Sequence, residues 1–357
     1  MQYLVDFFMG LDWYFALLIY FVLASLVVFV TSKISDCVDN LDKLTNLGAA
    51  FIGGIFLAAV TSLPELITSI SSAALGSPDL IFGNILGSNF FNMLILAAVD
   101  IVFIKLMFMN KVKSMRKTNF FTIIMYLVIV IPLLISWLIK LISGNDFNLF
   151  NFTPIGISFV SIIMIVVYGI SVKVLANDSV GAEDNSEIDE KEEEKPNTTV
   201  SKEVIKFIAW SILLVVLSLV LTMSVDSLSA SLNLGDSFAG ALFLAIATSL
   251  PELTAVVRLV QLRNYDAAVG NVIGSNVFNF TIISVVDVIF FNLPVFNNVV
   301  SDKTIIVLLF FGLISAGLVM FALLRTKSKN KFVYILPSII IAILYIVFLV
   351  LNSTILK

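Results

Sequence analysis

Two short motifs occur twice in this chain, and each copy sets oxygen ligands inside an apolar stretch. Thr61-Ser62-Leu63-Pro64-Glu65 returns as Thr248-Ser249-Leu250-Pro251-Glu252. Gly83-Asn84-Ile85-Leu86-Gly87-Ser88-Asn89-Phe90-Phe91-Asn92 returns as Gly270-Asn271-Val272-Ile273-Gly274-Ser275-Asn276-Val277-Phe278-Asn279. One offset of 187 residues relates both pairs, and 15 of the 32 positions from Thr61 to Asn92 are identical to their partners.

The spacing has chemical consequences. Pro64 carries no amide hydrogen, so the Val60 carbonyl four residues back loses its helical partner, and Pro251 does the same to Ala247. Inside lipid a freed carbonyl must find a partner or line a polar cavity. Glu65 follows Thr61 by four residues and Ser62 by three, which puts all three on about one helix face. The resulting kit is a carboxylate, two hydroxyls and exposed carbonyls. Ligands made only of oxygen suit hard cations such as Ca²⁺ and Na⁺. Asn84, Ser88 and Asn92 fall at i, i+4 and i+8 and form one polar stripe. Gly83 and Gly87 beside it let another helix backbone approach closely. Asn271, Ser275 and Asn279, with Gly270 and Gly274, repeat the pattern.

A carboxylate at mid-bilayer costs at least ~2.5 kcal/mol. Two that converge also repel, unless a proton or a cation lies between them. One Ca²⁺, or two to three Na⁺, neutralises the pair, and a site that accepts either load but is unstable without one suits obligate exchange. A packing role competes with this reading, because membrane helices tolerate Pro and a lone Ser or Thr often bonds its own backbone. Duplication of the whole set at one offset weighs against packing.

The elements that position these residues follow from composition. Of 357 residues 59% are hydrophobic and 13% charged, and the mean hydropathy is +1.07. Soluble domains carry about 25% charge, so the chain reads as an all-α integral membrane protein. It contains no histidine, which excludes His-liganded zinc, a Ser-His dyad and an imidazole relay. Cys37 is the single cysteine, so no internal disulfide forms. The N-terminus lacks a basic n-region, and the first apolar stretch reads as a retained span.

A spanning helix needs ~20 apolar residues. Ten stretches qualify, at roughly 11–31, 45–75, 79–106, 119–140, 152–176, 204–225, 236–262, 266–291, 302–324 and 332–352. The 187-residue offset maps the first five onto the last five, giving two five-helix repeats, 1–176 and 204–357. The polar linker at 177–203 is crowded with Glu183, Asp184, Glu187, Asp189, Glu190, Glu192, Glu193 and Glu194, and reads as a solvated tether. An odd helix number makes the second repeat enter from the opposite side, so the repeats are inverted. Inverted repeats with broken helices at the midplane recur in secondary transporters. With both termini outside, 18 of 21 basic residues fall on the inner side, leaving Lys140, Lys303 and Lys357. The positive-inside rule then puts the linker in the cytoplasm.

Other charges invite plainer readings. Asp100 and Asp287 are repeat partners near opposite membrane faces; either they snorkel at the interface or they line an ion vestibule. Asp79 and Asp266 pair likewise and read as N-terminal helix caps. Arg258 reads as a snorkelling interfacial charge.

The doubled TSLPE and GNxxGSNxxN motifs resemble the alpha-repeat of the sodium/calcium exchanger family, prokaryotic type, within the Ca²⁺/cation antiporter superfamily. The resemblance implies exchange of Na⁺ for Ca²⁺ by alternating access, one helix pair sliding against a rigid core, with no cofactor. It also implies residence in a prokaryotic inner membrane, with the lipid bilayer and the two ions as partners and no nucleic acid or obligate protein partner. By position, Glu65 and Glu252 would be the central Ca²⁺ ligands, shared with Na⁺ and completed by the Thr61 and Thr248 carbonyls. Ser62, Ser88 and the Ala58 carbonyl would form one flanking Na⁺ site, and Ser249, Ser275 and the Ala245 carbonyl its counterpart. Asn92 and Asn279 would sit beside the centre. Many relatives carry Asp at the position of Asn279, a residue that the K⁺-dependent branch needs. Proton-coupled members carry a different motif, with Glu after GN and often His. Proton-coupled or broader-specificity cation exchange remains the alternative within transport. An intramembrane hydrolase would need a general base or a metal near a serine, and the chain has no His and no carboxylate pair in a protease-like context; channels usually line their pores with oligomeric rings.

Overall fold

Apolar stretches satisfy their own backbone in lipid only as helices or closed barrels, and the regular elements among the described residues are all helical. The computed structural model describes residues 13–45, 51–74, 78–112, 114–153, 156–181, 196–231, 248–291, 295–325, 328 and 330–354. In chain order these form α1 (Trp13–Leu44), a π-helical turn (Ile52–Leu57), α2 (Ala58–Thr61), α3 (Leu63–Ala74), α4 (Pro78–Val102), α5 (Arg116–Ser143) and α6 (Phe159–Gly181). There follow α7 (Val200–Ser231), α8 (Leu250–Gln261), α9 (Tyr265–Ile289), α10 (Lys303–Leu324) and α11 (Lys331–Thr354).

Eight of these are long and apolar enough to cross a membrane, and the bent run Ile52–Thr61 plus Leu63–Ile70 makes a ninth. The expected stretch 236–262 is described only from Thr248 onward, and residues 182–195 of the acidic linker lie outside the described residues. Two sets of helix bounds differ from expectation. Helix α1 continues well past residue 31, because the acidic residues on its last turns find partners: Asp36 pairs with Arg258 at 2.7 Å, and Asp39 with Lys43 at 2.9 Å. Helix α6 runs on to Gly181 and α7 starts at Val200, so both described flanks of the linker are helical. Arg258, still partly exposed, pairs with Asp36: its Nε and Nη2 both reach Asp36 Oδ1.

Helix α9 lies at the centre, buried at nearly every position from Ala267 to Asp287. Its glycine face admits the π-helical turn at backbone contact. A Cβ on Gly53 would stand 2.6 Å from the Ala267 Cα, and one on Gly274 would strike the Gly54 carbonyl. Small residues on both sides are what allow such an approach in a membrane. Helices α1 and α7 lie against each other, with Phe29 and Trp210 rings 6.1 Å apart, while Leu18, Phe21, Ile205 and Ile212 stay exposed as lipid-facing residues do.

Hydrogen bonds gather the polar ends of the helices into two layers. At one end Ser114 N–H donates to Asp266 (3.0 Å), Arg116 Nε to the Leu323 carbonyl (3.0 Å) and Asn264 Nδ2 to Asp39 and Asp42. At the other end Trp137 Nε1 donates to the Val300 carbonyl and Ser158 N–H to Asp287 at 2.8 Å. Asn264 is the N-cap of α9, accepting from Ala267 N–H at 3.2 Å, and Asp266 stands in the first turn and also accepts from Ser114 N–H. The Asp79 side chain lies outside the described residues. Neither Asp100 nor Asp287 sits at an open interface; they are 2% and 3% exposed. Asp100 accepts from the Tyr334 hydroxyl and, at 2.6 Å, from Ser338 Oγ, which ties α4 to α11. Buried hydroxyl and amide donors replace the water these carboxylates were expected to keep.

Candidate functional site

Proline sets the local geometry of the first motif. The chain bends by 41° where α2 meets α3. Ser62 at the break has φ −92° and ψ 8°, and Ser249 repeats those angles at −94° and 8°. The backbone ladder resumes at Leu66, whose N–H reaches the Ser62 carbonyl at 3.2 Å, and at Leu253, bonded to Ser249 at 3.1 Å. Pro64 supplies no donor for the Val60 carbonyl. The Ala247 carbonyl, like Ala245, lies outside the described residues. Each break starts a new helix, so Glu65 and Glu252 fall in the first turns of α3 and α8. A helix N-terminus favours negative charge there by several tenths of a kcal/mol, up to ~1.

Both glutamates are fully buried, as are Thr61, Ser62, Ser249, Ser275, Asn92 and Asn279, while Ser88 and Thr248 are 4% and 3% exposed. Most of the contacts run between the two sequence halves. Ser88 Oγ donates to Glu65 Oε1 at 2.9 Å and lies 3.3 Å from Ser249 Oγ. Ser62 Oγ donates to Glu252 Oε1 at 3.4 Å. Thr61 Oγ1 stands 3.3 Å from Ser275 Oγ and 3.2 Å from Asn271 Oδ1, and both hydroxyls reach the Ala58 carbonyl at 3.3 Å. The flanking groups therefore sort across the halves: Ala58 meets Ser275 and Ser88 meets Ser249, while Ser62 turns to Glu252. Ser62 also stays in backbone contact with Ala58, its N–H donating to the Ala58 carbonyl at 3.1 Å. Asn84 serves the α3–α4 contact instead, donating to Thr68 Oγ1 at 3.0 Å and to Ser69 Oγ at 3.2 Å.

Two residues outside the i, i+4, i+8 stripe join the cluster. Asn89 Nδ2 donates to the Asn276 carbonyl (3.3 Å), and Asn276 Nδ2 returns the bond to the Asn89 carbonyl (3.1 Å). Asn92 Nδ2 donates to Asn276 Oδ1 at 3.1 Å, and Asn279 Nδ2 to Asn89 Oδ1 at 2.9 Å. Each of these bonds maps onto another under the 187-residue offset. The signal was present in the sequence, since both asparagines recur inside the motif; a single-face reading passes over them.

The electrostatics of the cluster are one-sided. Glu65 Oε2, Glu252 Oε2, Asn92 Oδ1 and Asn279 Oδ1 are buried oxygens with no hydrogen-bond donor, and they form two repeat-related pairs. One donor nearby, Asn271 Nδ2, is likewise unpartnered. Among the described residues no Lys or Arg ion pair reaches either glutamate. A buried acceptor without a donor costs about 1–3 kcal/mol, and more when charged. Carboxylates and amide carbonyls are hard ligands, so a cation is the kind of group that would compensate four such oxygens.

Comparison with known proteins agrees with this chemistry. The family model for the sodium/calcium exchanger protein matches residues 13–176 and 202–354. The inner membrane protein YrbG of Escherichia coli (strain K12) is 26% identical over 264 residues, covering 72% of this chain and 74% of its own. A solved structure of the sodium-calcium exchanger NCX_Mj superposes with a TM-score of 0.67 at 18% identity, covering 96% of this chain and 99% of its own. A second structure of NCX_Mj gives 0.65 at 20% identity, covering 95% and 99%. At such identity the likeness establishes the fold alone.

Proposed function

Because the chain belongs to the sodium/calcium exchanger protein family, we propose that it is a secondary antiporter exchanging Na⁺ for Ca²⁺ by alternating access. The observation that carries this reading is the set of four donorless oxygens on Glu65, Glu252, Asn92 and Asn279. Two carboxylates and two amide oxygens match the charge and hardness of one Ca²⁺, with the Thr61 and Thr248 carbonyls completing its shell. Na⁺ takes the same centre and two flanking positions. One flanking position uses the Ala58 carbonyl with Thr61 and Ser275; the other uses Ser88 and Ser249 beside Glu65, with Ala245 as its carbonyl by repeat. Ser62 supports Glu252. Either load cancels the repulsion between the two glutamates, whereas an unloaded site leaves it standing, so the carrier exchanges ions instead of leaking them.

The architecture proposed is ten spans in two inverted five-helix repeats, 1–176 and 204–357, joined by a cytoplasmic linker at 177–203, with both termini outside. The reciprocal bonds between Asn89 and Asn276 support a two-fold relation between halves. The contacts of Ser114 with Asp266 and of Asn264 with Asp39 and Asp42 bring the segments around Arg116, Arg263 and Lys43 to one end, which supports the orientation. Helices α1 and α7 are the sliding pair: they pack mainly along each other, and α1 is held to α8 by the partly exposed Asp36–Arg258 pair.

The test is flux. Proteoliposomes preloaded with Na⁺ should accumulate Ca²⁺ when an outward Na⁺ gradient is imposed. Uptake driven equally by a proton gradient without Na⁺ would replace this reading with proton-coupled exchange.

A further inference from the structure

Resting on the exchanger reading, we infer that Asn89 and Asn276 are positioning residues that fix which end of Asn92 and Asn279 faces the ions. An Asn side chain is two-faced: its Oδ1 accepts and its Nδ2 donates. Only the oxygen is useful to a cation, and a flipped amide presents N–H groups that repel one. Something must therefore set the polarity of Asn92 and Asn279, and the hydrogen bonds around them do so in one direction only.

The chain of constraint starts at the backbone. The carbonyls of Asn89 and Asn276 can only accept. Each therefore demands a donor, and each receives Nδ2 of the opposite asparagine, at 3.1 and 3.3 Å. With Nδ2 committed, Asn89 and Asn276 present only Oδ1 to their other neighbour. That oxygen demands a donor in turn, and it receives Nδ2 of Asn279 at 2.9 Å and of Asn92 at 3.1 Å. The amide nitrogens of Asn92 and Asn279 are thus turned outward. Their Oδ1 atoms are left buried without a donor, as are Glu65 Oε2 and Glu252 Oε2. Asn89 and Asn276 have no unpartnered side-chain atom, so they do not offer ligands; they spend both ends on orientation. All four residues are fully buried, so water does not compete for these bonds.

The device also accounts for an amide at position 279. A carboxylate presents oxygen whichever way it turns, but it adds a third negative charge. An amide held by Asn89 supplies the oxygen without the charge, and the mirror-image lock on Asn92 does the same in the other half.

A double-mutant cycle tests this. Ca²⁺ binding to the purified full chain in detergent is measured by calorimetry for wild type, Asn276→Leu, Asn92→Asp and the double variant. Na⁺-driven Ca²⁺ uptake and thermal melting are followed on the same proteins. With Asn92 in place, Asn276→Leu should weaken Ca²⁺ binding about tenfold, ~1.4 kcal/mol. With Asp at position 92 the same change should weaken it less than about twofold, because the carboxylate needs no orienting partner. Equal weakening in both backgrounds would show that Asn276 merely supports packing, and would overturn the inference, as would unchanged affinity in Asn276→Leu. Should that variant fail to fold, Asn89→Leu with Asn279→Asp reads the same question in the other half. A wild-type protein that neither binds nor moves Ca²⁺ refutes the exchanger reading itself; a binding wild type with an additive cycle refutes only the positioning role.

Discussion

Glu65 and Glu252 are held by different donors, Ser88 in one case and Ser62 in the other, although their motifs are identical. Each keeps one oxygen without a donor. Replacing either by Gln removes a central charge while keeping the shape. Glu65→Gln and Glu252→Gln should each abolish Na⁺-driven Ca²⁺ uptake; near-normal uptake in either variant would make that glutamate a packing residue. Asn279→Asp has the opposite sense. It raises the central charge from two to three and sets carboxylate oxygen against Asn89 Oδ1, which now receives Nδ2. Protons should then compete with cations for the added carboxylate. Its Ca²⁺ uptake should fall more steeply than that of wild type as pH is lowered, and superimposable pH profiles would place position 279 away from the ions.

At the scale of elements, the site depends on a broken helix and on one backbone-to-backbone contact. The 41° bend between α2 and α3 is where Pro64 interrupts the ladder, and it brings Glu65 into a first helical turn. The π-helical turn lies against α9 because Gly54 and Gly274 leave no side chain between them. Gly274→Ala should therefore destabilise the protein by about 2 kcal/mol, since the overpacked atom is backbone and cannot rotate aside. Loss of melting temperature in detergent reads this directly, and an unchanged value would mean that the contact is loose. Asp100 joins α4 to α11 through Tyr334 and Ser338, next to a cavity of about 10 Å³ lined also by Met109 and Ile341. Asp100→Asn leaves one acceptor oxygen for two hydroxyl donors. It should cost about 1–3 kcal/mol of stability without changing the Na⁺ dependence of transport, which separates this buried carboxylate from the ion site.

For the molecule as a whole, the proposed topology makes a two-sided prediction. Cys37 is the only cysteine and is buried, so background labelling is low. A cysteine at Asn145 should react with a membrane-impermeant maleimide added outside intact cells, and one at Asn110 only after permeabilisation. The reverse pattern would invert the orientation while leaving the fold intact.

Much of the fold and of the site is legible in the amino-acid sequence. The doubled motif identified the buried carboxylates, because charge inside an apolar span is expensive and repetition at one offset is not accidental. Composition alone required spanning helices, and Pro64 marked a carbonyl without its helical donor, although Pro132 and Pro337 sit inside unbroken helices. Three things were decided only in three dimensions. Asp100 and Asp287 looked interfacial, since hydropathy registers depth along one helix and not the hydroxyl or amide brought to it by another. The serines pair between halves, Ser88 with Ser249 and Ser275 with the Ala58 carbonyl, because contacts across 161 and 217 residues have no local signature. The direction in which Asn92 and Asn279 point was also hidden. The sequence names an amide, but only the carbonyls and amides packed around it determine which of its two ends is left for an ion.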